Sequence, residues 1–323
     1  MIIDAHIHYA DDHPDFLAIL EEFDLKLLNI CFVKEVKVDW RDQADLYQQM
    51  ASTMPDRFAW CTSFTLPNFK SADWADEAIT ALDADFANGA IACKVWKNVG
   101  MELRKPDGSF ALPDDPIFDP VYEHLAASGK PLLTHIAEPI ACWQPLTGDN
   151  PHMNYYRNNP EWHMYNRPEY PSHSELIAAR DNLVAKHPSL NVIGAHLGSL
   201  EFDVDEVAAR LDKFPNFAVD MSARIIDLAI QPTDKVRNFF LRYADRVLFG
   251  TDVVMRERPS SMAFTNLTDA MHNLRKQYEM HFAFFNEGND MMVRDRQTRG
   301  LKLPDDILQQ FYRTTAQQWY PGV

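Results

Sequence analysis

Eight short apolar runs, separated by longer amphipathic stretches, set the tightest limit on how this chain can fold. They span residues 1–8, 26–33, 58–64, 90–96, 131–136, 191–196, 216–221 and 246–252. Each is six to eight residues long and rich in β-branched and aromatic side chains, as strands buried on both faces are. Helical spacing of apolar residues marks 15–23, 72–88, 116–128, 174–187 and 204–214 between them. Ser128-Gly129-Lys130-Pro131 closes one of these helices with a glycine and a proline just beyond it. Strands alternating with helices eight times predict a (β/α)8 TIM barrel. The rival, a doubly wound open sheet, would carry a glycine-rich phosphate loop after the first strand, and this chain has none there. One barrel accommodates 323 residues. With no internal repeat, low-complexity segment or linker, 1–323 reads as a single domain.

Two regions depart from the alternation. Residues 137–173, after the fifth run, form a long loop holding Trp143, Tyr155, Tyr156, Trp162, Tyr165 and Tyr170, with Arg157, Arg167, His152 and His163. Long irregular loops in compact domains are usually functional, and this one belongs at the carboxyl face, where it would cover a substrate. Residues 259–303 are charged and methionine-rich, with a helix expected over 266–280 and a polar segment over 286–300.

The polar residues at the strand ends are the second constraint. His6 and His8 are two apart, so on one strand both imidazoles leave the same face. Strand four carries Lys94, and strands five, six and eight end in His135, His196 and Asp252. Each alone has a structural explanation: a hydrogen-bonded core histidine, a helix cap, or a lysine reaching solvent along its stem. Together, at the same height on different strands, they converge on the axis at the carboxyl face and form a nitrogen- and oxygen-rich set suited to a divalent metal.

Other candidates are single residues. Arg224 follows strand seven and would clamp an anionic substrate bidentately. Glu138, Trp96 and Trp162 are further substrate-pocket candidates. Lys97 lies opposite Lys94 on a regular strand and reaches the mouth only if the strand ends before it. His13, His124, His187, His272 and His281 sit away from strand ends and receive no role.

Net charge of -16 argues against nucleic acid or an anionic membrane as partner. There is no uncharged apolar run of 18 residues and no basic leader with a small-residue cleavage site. Without an export signal the sequon Asn266-Leu267-Thr268 carries no meaning. Cys31, Cys61, Cys93 and Cys142 form no CxxC pair and read as reduced, mostly buried thiols, so a cytoplasmic protein is expected.

The motifs Asp4-Ala-His-Ile-His8, Thr134-His135, Gly194-Ala-His-Leu-Gly198 and Leu248-Phe-Gly-Thr-Asp252, with Pro188, Asp220 and Ser222, resemble the amidohydrolase superfamily. The likeness is closest to its amidohydrolase-2 branch of metal-dependent hydrolases and decarboxylases, and it spans nearly the whole chain. It implies that His6, His8, His135 and Asp252 hold a divalent metal, zinc first. It implies that His196 binds a second ion or acts as acid, base or carbonyl polariser, and that Asp252 is also the general base. Lys94 stands where binuclear members carry a carboxylated, metal-bridging lysine; many members of the branch lack it and use one metal. Lys94 is therefore either a bridging ligand or an ammonium for a substrate carboxylate.

The function expected from this set is metal-dependent hydrolysis of an amide, ester or lactone in a small, carboxylate-bearing substrate. The alternative is a metal-dependent non-oxidative decarboxylase of an aromatic or unsaturated acid, which the same residues would serve. A barrel that binds without chemistry would need a decayed constellation, whereas every position here is filled. The oligomeric state is not encoded legibly; a homodimer is the prior for soluble enzymes.

Overall fold

Eight parallel strands stand side by side in chain order: β1 (Ile2–Tyr9), β2 (Leu25–Ile30), β3 (Phe58–Ser63), β4 (Ala92–Val95), β5 (Leu132–Thr134), β6 (Val192–Gly194), β7 (Phe217–Asp220) and β8 (Val247–Leu248). The structure is a computed structural model and describes all residues except 10–13, 34–39, 149 and 256–266. The sheet curls until its two edges meet. Ala5 N donates to Phe249 O (2.9 Å), Asp252 N to His6 O (2.8 Å) and His8 N to Val253 O (2.9 Å). A two-residue strand β9 (Val254–Met255) then pairs with β1 at His8 and Tyr9. This is the expected (β/α)8 barrel.

One long helix follows each strand. They are α1 (Pro14–Glu22), α2 (Arg41–Thr53), α3 (Trp74–Ala87), α4 (Asp119–Ala127), α5 (His173–Lys186), α6 (Val204–Lys213), α7 (Thr233–Tyr243) and α8 (Leu267–Asn286). Each turns an apolar stripe inward, as Val204, Val207 and Leu211 do on α6 and Val236, Phe239, Phe240 and Tyr243 on α7. The start of α5 is fixed by a capping box in which Ser172 and Glu175 exchange hydrogen bonds.

Small and branched residues fill the barrel interior, among them Ile3, Ala5, Ile30, Cys61, Leu133 and Leu248. Trp319 and Tyr320, at the end of a helical segment over 305–319, join that cluster and cover the end where the strands begin.

The strand β1 breaks its own alternation. Ile3 and Ala5 belong to the interior cluster, whereas Ile7 and Tyr9 pack outward against the helices. A register shift between Asp4 and Ile7 accounts for the switch. Such a bulge adds a residue on one strand and re-aims the side chains beyond it. Without it, strict alternation from Ile3 and Ala5 would turn His6 and His8 toward the helix layer.

The region expected to be hard to assign resolves into two elements. The helix foreseen over 266–280 runs to Asn286, and its expected first residue, Asn266, lies outside the described residues, as does His13. The polar segment is an antiparallel hairpin, β10 (Asp290–Val293) and β11 (Arg296–Arg299). All four cysteines are free and buried. No helix among the described residues is long and apolar enough to cross a membrane.

Candidate metal centre

The residues that matter sit where the strands stop. Most strands end sooner than their apolar runs suggest, so His135, His196 and Asp252 lie on the turns just past β5, β6 and β8. Those turns are sharply bent. His196, Leu197, Gly198 and Ser199 all have positive φ (60°, 58°, 63° and 57°), and Asp252 has φ 57°. Left-handed backbone at non-glycine residues costs roughly 1–3 kcal/mol each and persists only where surroundings enforce it. Here they do: His196 N donates to Asp220 Oδ1 (2.9 Å), and the Arg180 guanidinium donates to Gly198 O. Gly250 lets the turn after β8 pass against β1, because a Cβ there would stand 3.0 Å from His6 Cβ.

His6 is fully buried and oriented from behind. Its Nδ1 is 2.8 Å from Asp220 Oδ2 and 3.1 Å from Ser222 Oγ. With Nδ1–H donated to the carboxylate, the Nε2 lone pair faces the axis, 3.1 Å from Lys94 Nζ and 3.8 Å from Asp252 Oδ1. His8 Nε2 lies 3.4 Å from the same Asp252 oxygen. His196 Nδ1 is 2.9 Å from Ser222 O, which makes that nitrogen the donor and leaves Nε2 toward His135 Nδ1, 3.2 Å away. The ligand atoms of His6, His8 and Asp252 lie within 4.8 Å of one another, as do those of His6, His196 and Asp220. Of the expected ligands, His6, His8 and Asp252 converge directly, Lys94 touches His6, and His135 joins through His196.

A divalent cation fits this set. Among the described residues, His8 Nδ1 and His135 Nε2 are buried nitrogens without a hydrogen-bond partner, an unusual state for a polar atom that water does not reach. Burial pushes His8 down to about 3, and burial with the neighbouring cations holds His135 and His196 well below the ordinary histidine range. All three are neutral at pH 7, the form that ligates metal. Burial opposes ionisation of Asp252, but the His8 hydrogen bond and the surrounding imidazoles outweigh it and hold the carboxyl well below its usual range. Burial likewise works against Asp220, whose bond to His6 brings it down to about 2.

Beside the centre, loops build a polar and aromatic wall. Lys97, which strand alternation turns away from the axis, is 3% exposed and lies in the mouth because β4 stops at Val95. It pairs with Glu138, reaches Tyr155 OH (3.3 Å) and stands 4.0 Å from the Trp162 ring centre. Burial opposes the Lys97 charge, yet Glu138 and Tyr155 raise its pKa. Tyr156 OH donates to the second Glu138 oxygen (3.0 Å), and Trp96 meets Trp162 edge to face at 5.4 Å. Trp96, Glu138 and Trp162 thus gather around Lys97.

Arg224 is buried nearby. It donates to Ala223 O (3.2 Å), and its Nε has no partner among the described residues. Burial opposes its charge, and Asp227, Glu201 and Glu138 together offset this. Glu201 is itself pushed up to about 8 by burial, with Asp227 adding to the rise. One oxygen of each, Glu201 Oε2 and Asp227 Oδ2, is buried without a partner among the described residues. The other Asp227 oxygen lies 2.9 Å from His152 Nε2. The roles of Lys97, Glu201 and Asp227 had no signal in the sequence except Lys97's place at the end of a short strand.

The sequence profile of the family described as Amidohydrolase matches residues 3–322. The chain belongs to the amidohydrolase family. That family comprises metal-dependent enzymes acting on small molecules, and the His and Asp groups above supply a candidate metal site. Solved structures agree on the fold. A 2,6-dihydroxybenzoate decarboxylase complexed with 2,6-dihydroxybenzoate is 15% identical with a TM-score of 0.59, covering 99% of this chain and 98% of that one. A 4-oxalomesaconate hydratase from Rhodopseudomonas palustris is 13% identical with a TM-score of 0.56 (100% and 96% covered). A dihydroorotase from Campylobacter jejuni is 13% identical with a TM-score of 0.51 (99% and 82% covered). At these identities the likeness speaks to the barrel alone. No curated protein sequence matches the chain significantly.

Proposed function

We propose that this amidohydrolase-family enzyme is a metal-dependent hydrolase that opens an amide, ester or lactone bond in a small carboxylate-bearing substrate. The observation that carries the reading is Asp252. Its carboxylate is held ionised against His8 and His6, yet its side chain is 24% exposed, open to a reacting group. A divalent ion held by His6, His8, His135 and Asp252, zinc first, supplies Lewis acidity and a nucleophile at neutral pH.

The chain's own residues do the rest. Arg224, whose Nε has no partner among the described residues, binds the substrate carboxylate. Trp96 and Trp162 pack on its apolar part and exclude water from that side. Asp252 takes the proton of the attacking water and returns it to the leaving group. His196, neutral with Nε2 toward the axis, hydrogen-bonds in the mouth or serves a second ion. Lys94 is within reach of either role: as a carbamate it would bridge two ions, as an ammonium it would bind substrate.

The decarboxylase reading draws on one observation, the aromatic wall of Phe32, Trp96 and Trp162, which suits a planar ring. Two measurements test the proposal. Elemental analysis of protein purified without chelator should give one or two divalent ions per chain; none, even after reconstitution, would overturn it. A panel of lactones, esters and amides bearing a carboxylate should yield hydrolytic products. Carbon dioxide released from an aromatic acid, with no hydrolysis of the panel, would replace the hydrolase by the lyase.

A further inference from the structure

On the strand-eight side of Asp252 lies a cavity of about 220 Å3 that the centre and its wall do not use. Thr251, Asp252, His281 and Arg294 are among its polar lining residues, and Ile225 and Leu274 among its apolar ones. At roughly 30 Å3 per water molecule, it has room for about seven groups of that size.

Two of the lining residues are unaccounted for by the fold. His281 is 2% exposed on α8, and its Nδ1 lies 2.6 Å from Gln277 O. That contact makes Nδ1 the donor and leaves a lone pair on Nε2, which has no partner among the described residues. Arg294 sits at the tip of the β10–β11 hairpin with φ 55°, where glycine or asparagine is the ordinary choice. Its neighbour Arg296 takes Asp295 at 3.8 Å, while Arg294 is in no ion pair among the described residues. The lining of the cavity therefore includes the Asp252 carboxylate, the Arg294 guanidinium and one buried acceptor, His281 Nε2.

We propose that this cavity is a second arm of the substrate pocket, receiving the anionic end of an elongated substrate against Arg294 while the reacting bond sits at Asp252. The inference rests on reading the metal centre and Arg224 as the substrate site. Ala223 and Ile225 line the cavity while Arg224, between them, is placed among Glu138, Glu201 and Asp227. Arg224 and Arg294 thus offer two separate guanidinium groups, one in the wall and one in the cavity. The substrate class this selects is a small acid with a negative group at each end and the scissile bond between them. His281 Nε2 accepts from a donor on the distal part or from a water bound beside it.

Calorimetric titration of metal-loaded protein with butyrate, and with succinate, glutarate and adipate at constant ionic strength, tests this. At least one dicarboxylate should bind ten times more tightly than butyrate, and in Arg294→Ala its affinity should fall to the butyrate level. Arg296→Ala, in the same hairpin but outside the cavity, should keep the preference. A dicarboxylate no tighter than butyrate, or a preference that survives Arg294→Ala, overturns the cavity proposal. The parent reading is scored separately: butyrate binding that is lost in Arg224→Ala supports it even when the cavity fails, and absence of any binding by wild-type protein counts against both.

Discussion

The metal centre and the loop wall beside it are built to different standards. In the centre, His6 and His196 each have one nitrogen committed to a carboxylate or carbonyl behind them, so the other points at the axis. These groups come from strand β1 and from tight turns pinned to β1, Asp220 and Arg180, and the surrounding backbone leaves them little freedom. In the wall, Lys97, Glu138, Arg224 and Glu201 come from connections after the strands, and Asp227 from the short helix Ile225–Ala229. Their charges balance, yet three of their buried polar atoms have no partner among the described residues. Rigid elements hold the chemistry, and loops hold the groups that meet a substrate of particular shape and charge. The contrast predicts that damage to the centre destroys turnover, whereas damage to the wall changes affinity and stability.

The largest effect should come from Asp252. Replacing it by Asn keeps the shape but removes the base, and kcat should fall by about 10²–10⁴-fold, the usual worth of a positioned general base. His135→Ala should abolish turnover as well, with the melting temperature little changed in both. Either variant retaining full activity would break the assignment of the centre. A smaller effect is expected one step behind the ligands. Asp220→Asn can no longer accept the His6 proton as a carboxylate does, so metal affinity should drop roughly 10–100-fold, read by competition with a chelating dye. An unchanged affinity would make Asp220 a packing residue.

The two regions also differ in how much of them the sequence discloses. A strand has a fixed side-chain period, so His6 and His8 announce a shared face, and the polar residues ending each apolar run announce a shared height. Even so, the reason both imidazoles face inward is the bulge between Asp4 and Ile7, which no residue type there signals. The wall is different. Glu138 and Lys97 are 41 residues apart, and Asp227 and His152 are 75 apart. Such pairs meet only because particular loops cross, and a surface charge reads the same as a buried one. Arg224 was visible because it follows strand seven closely. Glu201 was not, since only its burial, not its type, distinguishes it from an acid facing solvent.

Within the wall, the Lys97–Glu138 pair offers the next test. Both groups are nearly out of reach of solvent, so removing one partner leaves a buried charge alone. Lys97→Met or Glu138→Gln should each cost about 3–5 kcal/mol of stability. The double variant should recover most of that loss, because no unpaired charge remains. Denaturant unfolding of the four proteins closes the cycle, and additive losses would show that the pair is not coupled. In activity the same variants should raise KM more than they lower kcat. A pure kcat loss would move Lys97 from the wall to the centre.

The smallest effect is a dependence of stability on pH, set by buried titratable groups. Burial pushes His173 and His281 down to about 4, so each is neutral in the folded state and picks up a proton on unfolding below pH 6.5. Their contribution is complete above 6.5 and is lost as pH falls toward 4. Glu201 runs the other way. Raised to about 8, it keeps its proton in the folded state, so its contribution is complete below the ordinary glutamate range and is lost as pH rises toward 8. Between pH 6.5 and 8 only Glu201 changes, and stability should fall with rising pH by up to about 1.4 kcal/mol per pH unit. Below 6.5, His173 and His281, joined in metal-free protein by His8, His135 and His196, outnumber the raised acids Glu201 and Asp4 (about 6). Stability should therefore fall again, leaving a maximum near pH 6.5 in metal-free protein. Glu201→Gln should flatten the alkaline side and leave the acid side in place. A wild-type curve already flat from pH 6.5 to 8 would mean that Glu201 is ionised in the fold, its unpartnered oxygen satisfied by water, and that the wall carries one more negative charge beside Arg224 than its burial implies.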